Sequence, residues 1–210
     1  KIYPDVDFGI LSRVYIQESD GNRMIFDEGG NLQLRLHSEG TIIFTARLGS
    51  GWNTVSIPNN FLDQWITIYA FKSATKMELR IIDQENNLIS NSIEISGDYA
   101  NIDDNFPTIG ARSDLNASWF DGKISYVAIL SDSILLESLG GYVGSKPTLD
   151  ESILVSYWSF EEGSGDIVND GIPNGNDGII YGAEWNIEQS GSSEYISGTS
   201  FTLQNDLIDN

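Results

Sequence analysis

The segment Glu161–Gly178 concentrates side chains that could bind a cation. Its carboxylate and amide residues are Glu161, Glu162, Asp166, Asn169, Asp170, Asn174, Asn176 and Asp177. Calcium takes about 6–8 oxygen ligands, and loops rich in Asp and Asn supply them from side chains and backbone carbonyls. The same residue types are also common in turns, because Asn and Asp tolerate tight backbone bends. The segment alone therefore leaves a cation-binding loop and an ordinary set of turns both open.

The segment Arg112–Trp119 combines residue types that suit sugar binding. An exposed aromatic ring can stack on a sugar face, while charged and amide side chains bind the hydroxyl groups. We therefore predict a ligand site formed by Trp119, Arg112, Asp114 and Asn116. Weaker candidates of the same kind are Trp52-Asn53 and Asp98–Asn101. The alternative is that the ring of Trp119 packs in the core, as we predict for the aromatic residues that lie inside strands: Trp65, Trp158, Phe160 and Trp185.

Catalysis finds little support in the sequence. Glu161 and Glu162 are adjacent, so in a strand they point to opposite faces and cannot act together as acid and nucleophile. His37 is the single histidine, and a Ser-His-Asp arrangement would depend on it alone. The chain has no cysteine and no nucleophile-elbow or phosphate-loop motif. We predict that the protein is not an enzyme.

The charge of the chain limits its partners. It carries 31 acidic and 11 basic residues, a net charge of −20. Such a surface repels nucleic acid and anionic membranes, because phosphate binding requires Lys and Arg. No apolar run of about 18 residues is present, so we predict no membrane insertion. The sequence begins at Lys1, and we expect either that an upstream signal was removed or that the chain is part of a longer protein.

The apolar residues alternate over short segments along most of the chain, which predicts strands separated by Gly, Asn, Asp and Ser turns. The predicted strands are Phe8–Ile16, Asn31–His37, Thr41–Arg47, Gln64–Phe71, Lys76–Ile82, Leu88–Ile95, Phe106–Ala111, Gly122–Leu130, Ile153–Phe160 and Gly178–Trp185. Only Asp132–Leu139 has a helical pattern. This succession predicts a two-sheet sandwich and disfavours a parallel sheet, which needs crossover helices.

Three stretches resemble the laminin-G-like branch of the concanavalin-A-like lectin and glucanase family. The first is Asp63–Phe71, and the second is Pro107–Asp114 continued by Trp119–Leu130. The third is Leu154–Gly165 with Asn174–Trp185, which is similar almost position by position to the family block that begins L-V-A-Y-W-x-F-D-E-G-S-G. The chain departs from the family pattern at Ser125-Tyr126, where the pattern has Asp, and at Asp170–Pro173, where it has D-S-S-G.

The resemblance implies an all-β fold, a two-sheet antiparallel β-sandwich of the jellyroll type with one short helix. In many family members the third block opens the domain, whereas here it comes last. We therefore predict a single domain over residues 1–189 in permuted order, in which residues 151–185 complete the sandwich. The two ends of a domain usually lie close together, so a late block can replace a first strand. Residues 190–210 would form a C-terminal strand or a tail.

The resemblance also implies a structural calcium ion near the third block. Its expected ligands are Glu161, Asn174 and Asn176, followed by Asp170 and Asp177. The ion would rigidify the loop and would take no part in chemistry.

Two functions fit these observations, because a fold does not dictate a function. The first is a non-catalytic extracellular module that binds a polysaccharide or another glycan with the help of structural calcium. The second is a structural, assembly or adhesion protein of a virion, filament or cell surface, which acts through protein partners or self-association. Both place the protein outside the cell, secreted or exposed on a surface.

Overall fold

Two antiparallel sheets form the protein in the computed structural model, which describes residues 7–17, 21–49, 51–97, 106–134, 150–173, 175–187, 194–198 and 201–203. Sheet A contains β1 (Phe8–Ile16), β6 (Gln64–Lys72), β7 (Lys76–Ile82), β8 (Leu88–Glu94), β10 (Gly122–Leu130), β11 (Leu154–Trp158), β14 (Ala183–Ile187) and β15 (Glu194–Gly198). Sheet B contains β2 (Arg23–Glu28), β3 (Leu32–His37), β4 (Thr41–Leu48), β5 (Gly51–Pro58), β9 (Thr108–Ile109), β12 (Ile167–Val168), β13 (Gly178–Ile180) and β16 (Phe201–Leu203). The predicted fold class, an all-β sandwich of two antiparallel sheets, is confirmed.

Sheet A is ordered β14-β15-β10-β1-β6-β7-β8, and β11 also pairs with β10. Strand β15 pairs with Lys123 and Ile124, at one end of β10, whereas β11 pairs with residues 127–130 at the other end. Both strands therefore lie along the side of β10 that faces away from β1. Sheet B is ordered β12-β13-β16-β9-β2-β3-β4-β5. Residues 154–180 thus contribute strands to both sheets.

The main core lies between the sheets, because strand residues alternate between the two faces of a sheet. In β3 the residues Leu32, Leu34 and Leu36 are fully buried, whereas the residues between them are partly exposed. Trp158 and Phe160 belong to the same buried cluster as the inward residues of β1 and β3. Each large apolar side chain buried in this way contributes about 1.5–3 kcal/mol of transfer free energy.

A second apolar cluster covers one end of the outer face of sheet A. It contains Leu11, Tyr69, Phe71, Ile82, Tyr126, Ala128, Leu130 and Ile134, with Ile153, Leu154 and Tyr157 packed against it. The backbone N–H of Ile134 donates to the Tyr69 hydroxyl at 2.9 Å, and Arg80 donates to the Ile134 carbonyl at 3.1 Å. These bonds hold the segment that follows β10 against the sheet.

Several strands differ from the sequence prediction. Strands β2 and β5 were not predicted, and neither was the short strand β12. Strands β15 and β16 lie within residues 190–210, for which a C-terminal strand or a tail was predicted. Strand β2 shows no alternation because residues 24–28 are all buried, on both faces. Strand β5 lies at the edge of its sheet and has no clear apolar alternation, because several of its residues are polar and exposed. It also begins at Gly51 and ends at Pro58, and both residue types disfavour a strand prediction. The predicted segment Gly178–Trp185 is divided into β13 and β14 by a turn at Tyr181-Gly182.

The predicted helix Asp132–Leu139 is largely outside the described residues, which stop at Ile134 and resume at Asp150. Residues 132–134 form a bend and an irregular segment. Within the described residues, no helix is long and apolar enough to cross a membrane.

Candidate functional site

The loop Arg112–Trp119, which connects β9 to β10, is held against β2 at both ends. At its start, the Gly110 N–H donates to the Ile25 carbonyl at 3.0 Å. At its end, the Met24 N–H donates to the Ser118 carbonyl at 2.7 Å. The next residue after the loop, Phe120, is buried in the main core. The loop is therefore fixed by backbone bonds to one strand and by the side chain that follows it.

The buried carboxylate of Asp27 binds the backbone of the loop. Asp27 of β2 is inaccessible to solvent, and its Oδ2 accepts a hydrogen bond from the Ser113 N–H at 2.8 Å. Its Oδ1 accepts one from the Gly30 N–H at 2.9 Å, and the Gln33 amide lies at 3.4 Å. Burial raises the pKa of Asp27 above its ordinary value, while these hydrogen bonds act in the opposite direction. Asp27 thus joins the loop, the β2–β3 turn and the outer face of sheet B.

Three of the predicted ligand residues interact with one another within the loop. The guanidinium of Arg112 forms an ion pair with Asp114, and the Asn116 N–H donates to the Asp114 carboxylate at 3.1 Å. The pairing with Arg112 lowers the pKa of Asp114. Leu115 and Ser118 have positive φ values of 56° and 61°, which shows that the loop is tightly curved. Both charged side chains remain accessible, with 48% exposure for Arg112 and 32% for Asp114.

The fourth predicted ligand residue, Trp119, is 41% exposed at the end of the loop. It makes no hydrogen bond or ring contact with any other described residue. The ring therefore presents free apolar surface, next to a loop whose polar groups are already ordered. The structure describes all four predicted residues on one loop and leaves each of them accessible to a ligand.

The outer face of sheet B adjoins this loop and was not predicted to be part of the site. Because Leu32, Leu34 and Leu36 point into the core, Gln33 and Arg35 point outward. The register places Gln33 between Asp27 on β2 and Thr45 on β4. We call Gln33, Arg35, Thr45 and Arg47 the polar face of sheet B. The clean alternation in β3 was the signal that could have indicated it.

The polar face ends at an exposed aromatic residue on β5. The guanidinium of Arg47 lies 5.9 Å from the ring centre of Trp52, which is 50% exposed. Between Asp27 and Trp52 the face spans three strand-to-strand steps, about 14 Å. The Nε of Arg35 and the hydroxyl of Thr45 are enclosed and have no hydrogen-bond partner among the described residues. Burial lowers the pKa of Arg35, and the neighbouring Asp27 opposes this shift.

The acidic loop, Glu161–Gly178, is organised by hydrogen bonds to Asp170. The Asp170 Oδ1 accepts from the Tyr157 N–H at 2.8 Å and the Ile172 N–H at 3.1 Å, and its Oδ2 accepts from the Asn176 N–H at 2.8 Å. The Asp170 N–H in turn donates to Asp177 at 2.9 Å. A Cβ at Gly175 would lie 2.4 Å from the Asp170 carboxylate carbon, so only glycine fits there.

The loop is also tied to the main core. The indole N–H of the buried Trp158 donates to the Asn176 carbonyl at 2.9 Å. Asn169 donates to the Glu162 carboxylate with its backbone N–H at 2.7 Å and with its amide at 3.1 Å. The other oxygen of Glu162 is enclosed and has no partner among the described residues.

The fit of this loop to calcium is partial. Within the described residues, no group of three or more His, Cys, Asp or Glu side chains is placed to hold a metal ion. Both carboxylate oxygens of Asp170 accept hydrogen bonds from backbone N–H groups. The predicted ligand Asn174 lies outside the described residues. Among the oxygens that could still bind a cation are the second carboxylate oxygen of Asp177, the enclosed oxygen of Glu162 and the side-chain carbonyl of Asn176. Calcium binding by Glu161, Asn174, Asn176, Asp170 and Asp177 stays a prediction.

The aromatic residues predicted to be core divide into two groups. Trp158 and Phe160 are buried, and Trp185 packs against the main core. Trp65 differs, because it pairs with Tyr15 across β1 and β6 on the outer face of sheet A. Its ring lies 5.7 Å from the Tyr15 ring and 5.5 Å from the Arg13 guanidinium. A tryptophan inside a strand is therefore core only when its position in the alternation faces the other sheet.

The single histidine lies on the outer face of sheet B. The Glu39 N–H donates to His37 Nδ1 at 3.3 Å, and the Glu39 carboxylate lies 3.9 Å away. Its side chain is 28% exposed.

No known protein family matches the chain, and no curated protein sequence does so either. Solved structures do match. The chain is similar to a "putative carbohydrate binding protein" from Bacteroides ovatus, with 16% identity over 97% of this chain and 56% of that chain, and a TM-score of 0.59. The fold is a two-sheet antiparallel jellyroll.

Two further solved structures match the chain. The enzymatically active domain of tailspike protein 2 from bacteriophage CBA120 is 15% identical, over 75% of this chain and 27% of that chain, with a TM-score of 0.53. Domains LG4-5 of the mouse laminin alpha1 chain are 16% identical, over 59% of this chain and 35% of that chain, with a TM-score of 0.42. The chain spans about half of the Bacteroides protein and about a quarter of the tailspike structure. Identities this low show the fold alone.

Proposed function

We propose that the protein is a non-catalytic, extracellular carbohydrate-binding module whose ligand binds at the loop Arg112–Trp119. The observation that carries the proposal is the combination of a free, 41% exposed Trp119 ring with an accessible Arg112–Asp114 pair on one braced loop. The ring offers a stacking surface, and the pair offers donors and acceptors for sugar hydroxyls. The carbohydrate-binding description of the Bacteroides protein with the same fold supports this choice.

The bracing of the loop favours binding. A loop that must be ordered by its ligand loses conformational entropy on binding, and this loss weakens the affinity. Here the bonds from Ser113 to Asp27 and from Met24 to Ser118 hold the backbone before the ligand arrives. The ligand therefore meets a surface that is already in its binding conformation. The polar face of sheet B continues this surface and can contact further sugar units of a longer chain.

The test is a glycan array followed by calorimetric titration of the best polysaccharide. Trp119→Ala should weaken binding about tenfold or more, because about 1.4 kcal/mol of lost stacking corresponds to a tenfold change in affinity. Tyr181→Ala is the matched control, since it removes a similarly exposed aromatic ring, 49% accessible, from the segment between β13 and β14, away from the loop and the polar face. Equal losses of affinity in both variants would show that the site is not at the loop. The absence of any bound glycan would contradict the proposal.

We keep structural calcium at the acidic loop as a second part of the proposal. The Asp177 carboxylate and the Glu162 oxygen that has no partner among the described residues are suitable calcium ligands, and they support the proposal. The Asp170 carboxylate does not support it, because both of its oxygens already accept hydrogen bonds from backbone N–H groups. Calcium that binds the folded state and not the unfolded state raises the midpoint of thermal unfolding, and a chelator reverses the rise. Asp177→Asn should abolish the calcium response. An unfolding midpoint that is identical in calcium and in chelator would rule out the ion, without affecting the test of the sugar site.

A further inference from the structure

The outermost strand of sheet A, β8, is an open edge. It pairs with β7 on one side, and its other side has no partner strand among the described residues. All of its residues except Ile93 are exposed, including Leu88 at 41% and Ile89 at 40%. Natural edge strands are protected by lysine, proline, a bulge or an inward charge. This strand has none of these devices, and Glu94 at its end is the only ionisable residue in it.

The backbone groups that face the open side can be identified from the two ends of the β7–β8 hairpin. The Ile95 N–H donates to the Thr75 carbonyl at 2.9 Å, and the Asp83 N–H donates to the Asn87 carbonyl at 3.2 Å. Hydrogen-bonded residues alternate along an antiparallel pair, so the odd-numbered residues of β8 bond to β7. The even-numbered residues Leu88, Ser90, Ser92 and Glu94 therefore direct their N–H and C=O groups outward.

The sequence of the strand is symmetric. Residues 89–93 read Ile-Ser-Asn-Ser-Ile, a palindrome centred on Asn91. If two copies of β8 pair antiparallel about a two-fold axis at Asn91, Ile89 lies opposite Ile93 and Ser90 lies opposite Ser92. The residues that exchange hydrogen bonds in this register are the even-numbered ones, which are those whose groups face outward. Leu88 lies opposite Glu94, so the two glutamates are at opposite ends of the interface.

We propose that β8 joins a second copy of this chain, edge to edge, to form a two-fold dimer with one continuous sheet. A two-fold interface must be self-complementary, and the palindrome gives the strand this property. The pairing satisfies the outward backbone groups and buries the exposed part of Ile89 against Ile93 of the second copy. Opposed apolar side chains on paired strands stabilise the pairing.

The side chain of Asn91 occupies one of the outward N–H groups that this pairing needs. The Ser92 N–H donates to the Asn91 side-chain carbonyl at 2.9 Å, and the Asn91 amide donates to the Ser56 carbonyl of β5 at 2.9 Å. Both bonds are exposed, so water competes for them and their loss costs little. Asn91 must release Ser92 when the second copy binds.

The charge of the chain makes the dimer depend on salt. Each copy carries a net charge of −20, and two copies repel each other at long range. Salt shortens the screening length from about 10 Å at 0.1 M to about 3 Å at 1 M. Association should therefore strengthen as the salt concentration rises, which is the opposite of what an interface built on ion pairs would do.

The experiment is sedimentation velocity over a range of protein concentrations at low and high salt. The wild type should shift from monomer to dimer with concentration, with a dissociation constant that falls at high salt. Ser90→Pro removes one outward N–H but no bond to β7, and it should leave a folded monomer. Ile89→Lys adds a charge to the edge and should weaken the dimer about tenfold or more.

Ile167→Lys is the matched control, because it places the same change at a 51% exposed isoleucine on β12, at the far end of sheet B. It should dimerise like the wild type. Circular dichroism shows whether each variant is folded. If Ser90→Pro unfolds, the loss of dimer in Ile89→Lys still tests the proposal. A wild type that is monomeric under all conditions would overturn the proposal. So would a dimer that survives both substitutions in β8.

Discussion

The outer faces of the two sheets are used in different ways. At one end of its outer face sheet A carries Leu11, Tyr69 and Tyr126, and the segments around Ile134 and Ile153 cover this end. On sheet B the outer face carries polar residues, with a braced loop along one side and an exposed tryptophan along the other. One face serves the stability of the chain itself. The other is polar and partly accessible, as a binding surface must be.

The largest expected difference between the two faces is in stability. Leu11→Ala removes a fully buried side chain from the outer cluster of sheet A and should lower the free energy of unfolding by about 2–5 kcal/mol. Thr54→Ala changes an exposed residue on the outer face of sheet B and should alter it by no more than about 0.5 kcal/mol. Urea denaturation of both variants measures the two values. Similar losses would show that the two faces do not differ in this way.

A smaller effect separates two tyrosines of the cluster on sheet A. The Tyr69 hydroxyl accepts a hydrogen bond from the Ile134 N–H, so Tyr69→Phe should cost about 1 kcal/mol. The Tyr157 hydroxyl is enclosed and has no partner among the described residues, so Tyr157→Phe should leave stability unchanged or raise it slightly. The same denaturation assay compares the pair. A larger loss at Tyr157 would contradict the hydrogen-bond pattern.

The smallest effect concerns the carboxylate beneath the loop. The pKa of Asp27 is raised in the folded state, so between the unfolded and the folded value the native protein binds more protons than the unfolded chain. Stability therefore falls as the pH rises through this window, upward from about 4. Asp27→Asn removes this contribution, and the difference between the two pH profiles of unfolding isolates it from the other carboxylates. Parallel profiles would show that Asp27 titrates as it does in water.

Local pattern was sufficient to predict part of the fold. Strand β7 begins and ends where alternation and turn residues predict, because one of its faces is buried and polar turns flank it. Strand β2 was missed, since the loop above it buries its outer face as well as its inner one. The pairing partners of the strands were beyond any local pattern, because strands distant in sequence, such as β1 and β10, lie side by side.

The candidate site, like the fold, could be predicted from the sequence only in part. Residue types predicted the loop, since Arg112, Asp114, Asn116 and Trp119 are close in sequence. Asp27 could not be predicted, because it meets Ser113 across 86 residues of chain and sits in a strand without a visible pattern. The polar face was visible in the alternation of β3, but only the register shows that it adjoins the loop.

The measurement that tests the central claim most directly is backbone amide NMR of the protein during titration with the best glycan from the array. We predict that the largest shift changes fall on residues 112–119, with smaller changes on β3 and β4, and that the outer face of sheet A is silent. Changes centred on the acidic loop or on sheet A would contradict the assignment of the loop Arg112–Trp119 as the binding site.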